Sequence, residues 1–123
     1  NEAFITRGSM VLVTRATKLL GIKHPIVQGG MHYVGYATMA AAVSNAGGLG
    51  IITALTLPTP EDLRSEIRKC KTMTNNPFGV NLTLLPVGIP PDYQAYADVI
   101  VAEGVPVVET AGRNPKHWIQ FFK

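Results

Sequence analysis

The stretch PIVQGGMHYVGYATMAAAVSNAGGLGIIT, Pro25 to Thr53, decides the fold. Pro25, Ile26 and Val27 form a short apolar run that stops at Gln28, Gly29 and Gly30, a pattern that predicts a buried strand ending in an open turn. The alanine-rich segment Thr38 to Asn45 predicts a helix, Gly47 and Gly48 stop it, and Leu49 to Thr53 predicts a second strand. Two strands joined by a helix lie parallel, and ligands of such folds gather at the carboxyl ends of the strands.

The same rhythm continues. Thr14 to Gly21 reads as a single turn or short helix with Leu19 and Leu20 inward, closed by Gly21 and capping the base of the sheet. Thr59-Pro60-Glu61-Asp62 is a helix start with an N-cap hydroxyl, proline in the first turn and two acids beside the helix dipole. Leu63, Ile67 and Cys70 or Met73 then share one face, opposite Arg64, Glu66, Arg68, Lys69 and Lys71. Phe78 to Leu85 predicts a third strand, Pro86 to Pro91 a loop, and Asp92 to Glu103 a helix with Tyr93, Tyr96, Ala97 and Ile100 inward. Val105 to Val108 predicts a fourth strand, which ends in Glu109, Thr110, Ala111 and Gly112, before a helix carrying Trp118, Ile119, Phe121 and Phe122.

Strand starts near 25, 50, 79 and 106 are about 25 to 30 residues apart, roughly one eighth of a typical barrel of about 250 residues. The expectation is an α/β fold: the amino-terminal half, about four βα units, of a (β/α)8 TIM barrel with parallel strands over residues 14–123. Residues 1–13 are expected to be a cloning remnant or an N-terminal extension. An open four-stranded α/β domain fits the same pattern.

Composition narrows the function. Hydrophobic residues at 46% and charged ones at 15% are ordinary for a globular chain. The net charge of +3 is scattered without a basic stripe, so no nucleic-acid partner is expected. No apolar run reaches the roughly 20 residues that span a bilayer, so no membrane partner is expected either. One cysteine, Cys70, supplies neither a disulfide nor a zinc cluster, and a reducing, cytoplasmic setting is expected. No His, Cys, Asp or Glu pair has metal-ligand spacing, and neither GxSxG, a Walker A loop nor GxGxxG occurs. Gly47-Gly48-Leu49-Gly50 precedes a strand instead of opening a helix, so it reads as a helix stop, not a phosphate loop.

The motifs IVQGGM (Ile26 to Met31), AAVSNAGGLGIIT (Ala41 to Thr53), PFGVNL (Pro77 to Leu82) and VVETAGRNP (Val107 to Pro115), in this order and spacing, resemble the nitronate monooxygenase family, formerly the 2-nitropropane dioxygenases. The resemblance covers nearly everything from Ala16 onward. It implies an FMN-dependent TIM-barrel oxidoreductase that oxidises alkyl nitronates with molecular oxygen; flavin-dependent enoyl-ACP reductases share the scaffold. It also implies that the FMN phosphate loops and the histidine base lie beyond Lys123, so that the chain alone lacks the family's activity.

Candidate residues follow. A flavin across a barrel mouth needs a floor of backbone and small side chains, which Gln28, Gly29, Gly30 and Met31 suit; by resemblance Gly29, Gly30 and Met31 line the ring. A tight turn after a strand explains the same glycines. Asn81 is an amide inside an apolar strand and requires a partner, either a flavin edge, as the resemblance implies, or a neighbouring strand's backbone. Thr83 shares its face. Glu109 reads as a hydrogen-bond acceptor for cofactor or loop, or as an ion-pair partner of Arg113; Gly112 reads as a cofactor contact or a loop glycine. His32 and Tyr33 follow Met31 at the productive end and are candidate substrate contacts, whereas His24 enters the first strand from the opposite end and His117 sits on an outer helix. A non-catalytic reading remains: a half-barrel that forms a homo-oligomer, or pairs with its missing half, to bury Ile26, Leu82 and Val107.

Overall fold

The computed structural model describes residues 11–85 and 88–123. Residues 1–10 of the expected extension over residues 1–13, and the loop residues Pro86 and Val87, lie outside the described residues. Among the described residues, five helices and three strands follow in the order α1 (Arg15–Leu20), α2 (Ala37–Asn45), β1 (Gly50–Thr53), α3 (Pro60–Met73), β2 (Phe78–Leu84), α4 (Tyr93–Ala102), β3 (Val107–Gly112) and α5 (Lys116–Phe122), with a 3-10 turn at Ala54–Thr56 after β1. The sheet order is β1-β2-β3 and both pairings are parallel.

The local signals explain the elements. Thr59 accepts from the Asp62 amide while Asp62 reaches back to the Thr59 amide, a capping box with Pro60 in the first turn of α3. Thr14 and Thr17 cap α1 in the same reciprocal way, and Gly21 ends it at φ 67°. The first amide of α2 has no cap from its own segment. Instead Glu66 of α3 accepts from Ala37 N at 2.8 Å, so α3 supplies the cap of α2.

Alternation along the strands divides the sheet into two faces. Phe78, Val80, Leu82 and Leu84 join Ala37, Ala40, Ala41, Ile52, Leu63, Ile67, Cys70, Val99 and Ile100 in the core between sheet and helices. Gly50 allows the closest approach, since a Cβ there would stand 1.9 Å from the Ala40 carbonyl oxygen of α2. Gly79, Asn81 and Thr83 take the opposite face. Low on that face, Ile22, Leu49 and Ile51 form a second cluster against Leu20 and Val107, so the segment around α1 does close the base of the sheet.

Four expectations are corrected. The run at Pro25 to Val27 is not a buried strand: it makes one parallel bridge, Val27 to Leu49, and Ile26 and Val27 are 61% and 50% exposed because they border the sheet with no element of the described residues over them. Leu19 is exposed, and Thr17 is the residue of α1 that is buried. Leu82 faces the helices, not the open side, because it alternates with Asn81. The last strand starts at Val107 rather than Val105, and it continues through Glu109 to Gly112 as ordered β-structure.

Opposite the sheet, Glu103 at the carboxyl end of α4 ties that helix to α3. Its carboxylate accepts from Arg64 and Arg68 at 2.9 Å each, with Lys71 Nζ at 3.6 Å. Hydrogen bonds from Arg68 and Arg64 hold its acidity near a pKa of about 2, well below the usual carboxylate range. Burial raises the Cys70 thiol to about 11, so this cysteine is an inert core residue. Among the described residues no helix is long and apolar enough to cross a membrane.

Candidate functional site

At the carboxyl end of the strands, register places Thr53 of β1, Asn81 of β2 and Glu109 of β3 side by side as one polar rung on the open face. The rung below it is apolar or bare: Ile51, Gly79 and Val107. Three strands thus change from apolar to polar at the same height.

The rung is internally bonded. Asn81, only 3% exposed, donates from Nδ2 to Glu109 Oε2 at 2.9 Å and accepts at Oδ1 from the Thr83 hydroxyl at 2.8 Å. The buried amide of the GVN motif is therefore satisfied by side chains, not by a strand backbone. Each Asn81 group keeps one further hydrogen-bonding position. Glu109 holds the loop rather than Arg113: its Oε2 also accepts from the Gly30 amide at 2.8 Å.

The segment Gln28 to Gly35 lies over this rung. Gln28 grips β1 as a strand would, donating to Ile51 O at 3.1 Å and accepting from Ile51 N at 3.2 Å. A Cβ on Gly30 would stand 2.4 Å from Asn81 Cγ, and one on Gly29 would stand 3.1 Å from Glu109 Oε1. The chain's own packing therefore demands glycine at position 30, because backbone is pressed flat on the amide beneath. Met31 is fixed by Thr53, whose hydroxyl accepts from Met31 N at 2.8 Å and donates to Met31 O at 3.0 Å. Thr53 N also donates to Gly35 O at 2.7 Å.

Beside this floor opens a cleft of about 580 Å³. Thr53, Asn81 and Thr83 form its polar side, and Leu55, Leu57, Leu85 and Tyr93 its apolar side. Gly30 and His32 sit at the rim. His32 Nδ1 lies 3.3 Å from the Thr56 hydroxyl, which also accepts from the Tyr33 amide at 3.2 Å. Tyr33 packs against His32 with ring centroids 3.9 Å apart and planes tilted by 48°, and it holds the left-handed φ of 61°.

Of the residues singled out in the sequence, Gly30, His32, Asn81 and Thr83 meet at the cleft; Gly29 adjoins Gly30 in the floor and Glu109 holds that floor, neither of them lining the cleft. Gln28 is engaged with β1, and Met31 and Tyr33 flank the cleft without lining it. Gly112 stands apart: its φ of 87° and a Cβ position 2.4 Å from Leu84 O make it a turn glycine of the sheet edge. Thr53, Thr56 and the wall of Leu55, Leu57, Leu85 and Tyr93 were missed. Thr53 carried a signal, since it ends an apolar run on the face of Ile51. Groups of acids, histidines and cysteines able to hold a metal are absent among the described residues.

Comparison with known proteins agrees with this fold. Over 71 residues, 58% of this chain and 20% of the relative, it is 49% identical to a nitronate monooxygenase of Pseudomonas aeruginosa. It is 48% identical, over 59% of this chain and 20% of the relative, to a (3aS,4S,5R,7aS)-5-hydroxy-7a-methyl-1-oxo-octahydro-1H-indene-4-carboxyl-CoA dehydrogenase of Mycobacterium tuberculosis. The solved structure of FabK from Thermotoga maritima superposes with a TM-score of 0.82 at 43% identity, covering 90% of this chain and 34% of that one. The match thus spans about a fifth of the curated relatives and a third of a TIM-barrel enzyme, and the relatives are oxidoreductases. The nitronate monooxygenase family model matches residues 13–120, and the chain belongs to that family.

Proposed function

We propose that these residues supply the front of a flavin site in an oxidoreductase that binds FMN and oxidises alkyl nitronates with molecular oxygen. The observation that carries this reading is the backbone of Gly29 to Met31, pressed flat over the Thr53–Asn81–Glu109 rung beside an open cleft. The residues fit the ring end of a flavin: a floor without side chains at positions 29 and 30, and an amide and a hydroxyl, Asn81 and Thr83, with hydrogen-bonding positions to offer. They do not fit its phosphate, since no Lys or Arg lines the cleft. Bound flavin supplies a two-electron acceptor that can pass electrons to oxygen. Gly29 to Met31 would bear the ring, Asn81 and Thr83 would orient its edge, and His32 with Tyr33 would confine substrate from the rim. Thr56, beside His32 Nδ1, sets the direction in which that imidazole presents its other nitrogen.

A second reading is favoured by the FabK likeness at a TM-score of 0.82: reduction of an enoyl thioester with NADPH on the same floor. The full polypeptide that carries this sequence, reconstituted with FMN, separates the two. Oxygen uptake with an alkyl nitronate and none of NADPH oxidation with an enoyl thioester supports the first reading; the reverse result replaces it with the second. The 123-residue chain by itself is expected to show neither turnover. Its partners are expected to be small molecules and its setting cytoplasmic. The exposed Ile26 and Val27 favour pairing with the rest of the barrel or with a second copy, which sizing of the purified chain reads directly.

A further inference from the structure

We infer that Thr53 and Glu109 are positioning residues that assemble the glycine floor before any ligand arrives. The inference rests on the flavin reading for its purpose but not for its geometry. Between Gly29 and Val34 the described residues show no backbone hydrogen bond to strand backbone, yet two consecutive amides, Gly30 and Met31, are both turned onto the sheet. They are held by side chains from two different strands. Glu109 Oε2 takes the Gly30 amide and the Asn81 amide together, so one oxygen joins loop, β2 and β3. Thr53 takes the Met31 amide, returns its own proton to the Met31 carbonyl, and holds Gly35 through its backbone.

Such a clamp does what a ligand would otherwise have to do. A loop of two adjacent glycines has the largest conformational freedom a chain can have, and ordering it on binding weakens affinity. With both amides fixed, the floor is flat in the free protein. The clamp also accounts for the residue types. Serine would keep the Thr53 hydroxyl and valine would not. Glutamine at position 109 would keep a carbonyl oxygen able to accept both donors, whereas alanine would leave the Asn81 and Gly30 N–H groups unpaired beneath the loop.

The test uses the full polypeptide in two measurements. Amide hydrogen exchange of peptides covering Gln28 to Gly35, recorded without flavin, reads the clamp; FMN titration reads its purpose. T53V and E109A should each raise exchange in that segment about tenfold, the factor expected for one ordinary buried hydrogen bond, and weaken FMN by a similar factor, while T53S and E109Q stay close to the parent. Circular dichroism and exchange in α3 should be unchanged in all four. Unaltered exchange in T53V and E109A would overturn the clamp, as would equal loss in the conservative variants. Faster exchange with unchanged FMN affinity would leave the clamp standing and overturn its role toward flavin.

Discussion

At the scale of single residues, the site is governed by contact between backbone and side chain rather than by charge. Gly30→Ala should destabilise the protein by about 1–3 kcal/mol, because its new methyl must displace Asn81, and chemical denaturation measures this. Asn81→Leu keeps the volume but leaves the Gly30 and Asn81 sides of Glu109 with one donor where there were two. It should cost roughly 1–3 kcal/mol in the same assay, with FMN binding lost. The sequence made Asn81 conspicuous, since an amide between Val80 and Leu82 must have a partner. It did not reveal which one. The partner is a carboxylate on the adjacent strand, and pairing across strands is set by register, which no single stretch of sequence contains. Thr53 was overlooked for a related reason: threonine is an ordinary strand residue, and only the loop above it makes its hydroxyl functional.

Among the elements, the helices were the most legible. The capping box at Thr59 and the stripe of Leu63, Ile67 and Cys70 are local signals, and α3 obeys both, with Met73 left outside the buried stripe. Thr59→Ala should lower stability by about 1 kcal/mol. Edges were less legible. Ile26 and Val27 are apolar, but burial depends on what lies alongside, and among the described residues the bridge to Leu49 leaves both largely exposed. The Glu103 tie between α3 and α4 yields a pH prediction. The Glu103 carboxyl has a folded pKa lowered from 4.5 to about 2, so its contribution is complete above 4.5 and disappears as pH falls towards 2. Glu103→Gln should remove that acid-labile part. Thermal melts between pH 5 and 2 should then fall less steeply in the variant than in the parent, and parallel curves would refute the assignment.

For the whole molecule, the parallel order β1-β2-β3, with helices on one face and a polar rung on the other, is the expected kind of parallel α/β wall with three strands where four were expected, and the family match covers the same residues. Protection should follow position in the sheet: amides of β2, paired on both sides, should exchange more slowly than those of β3, whose outer edge has no partner in the described chain. The rung has one more implication. Three side chains from three separate strands work together only because residues 53, 81 and 109 stand level, and they recur every 28 positions. Inserting or deleting one residue inside any of these strands would rotate the following side chains to the opposite face and break up the trio, whereas the connecting turns can lengthen freely. Among descendants of this sequence, gaps should therefore collect in the turns, and the spans from Gly50 to Thr53, Phe78 to Asn81 and Val107 to Glu109 should keep their lengths unchanged.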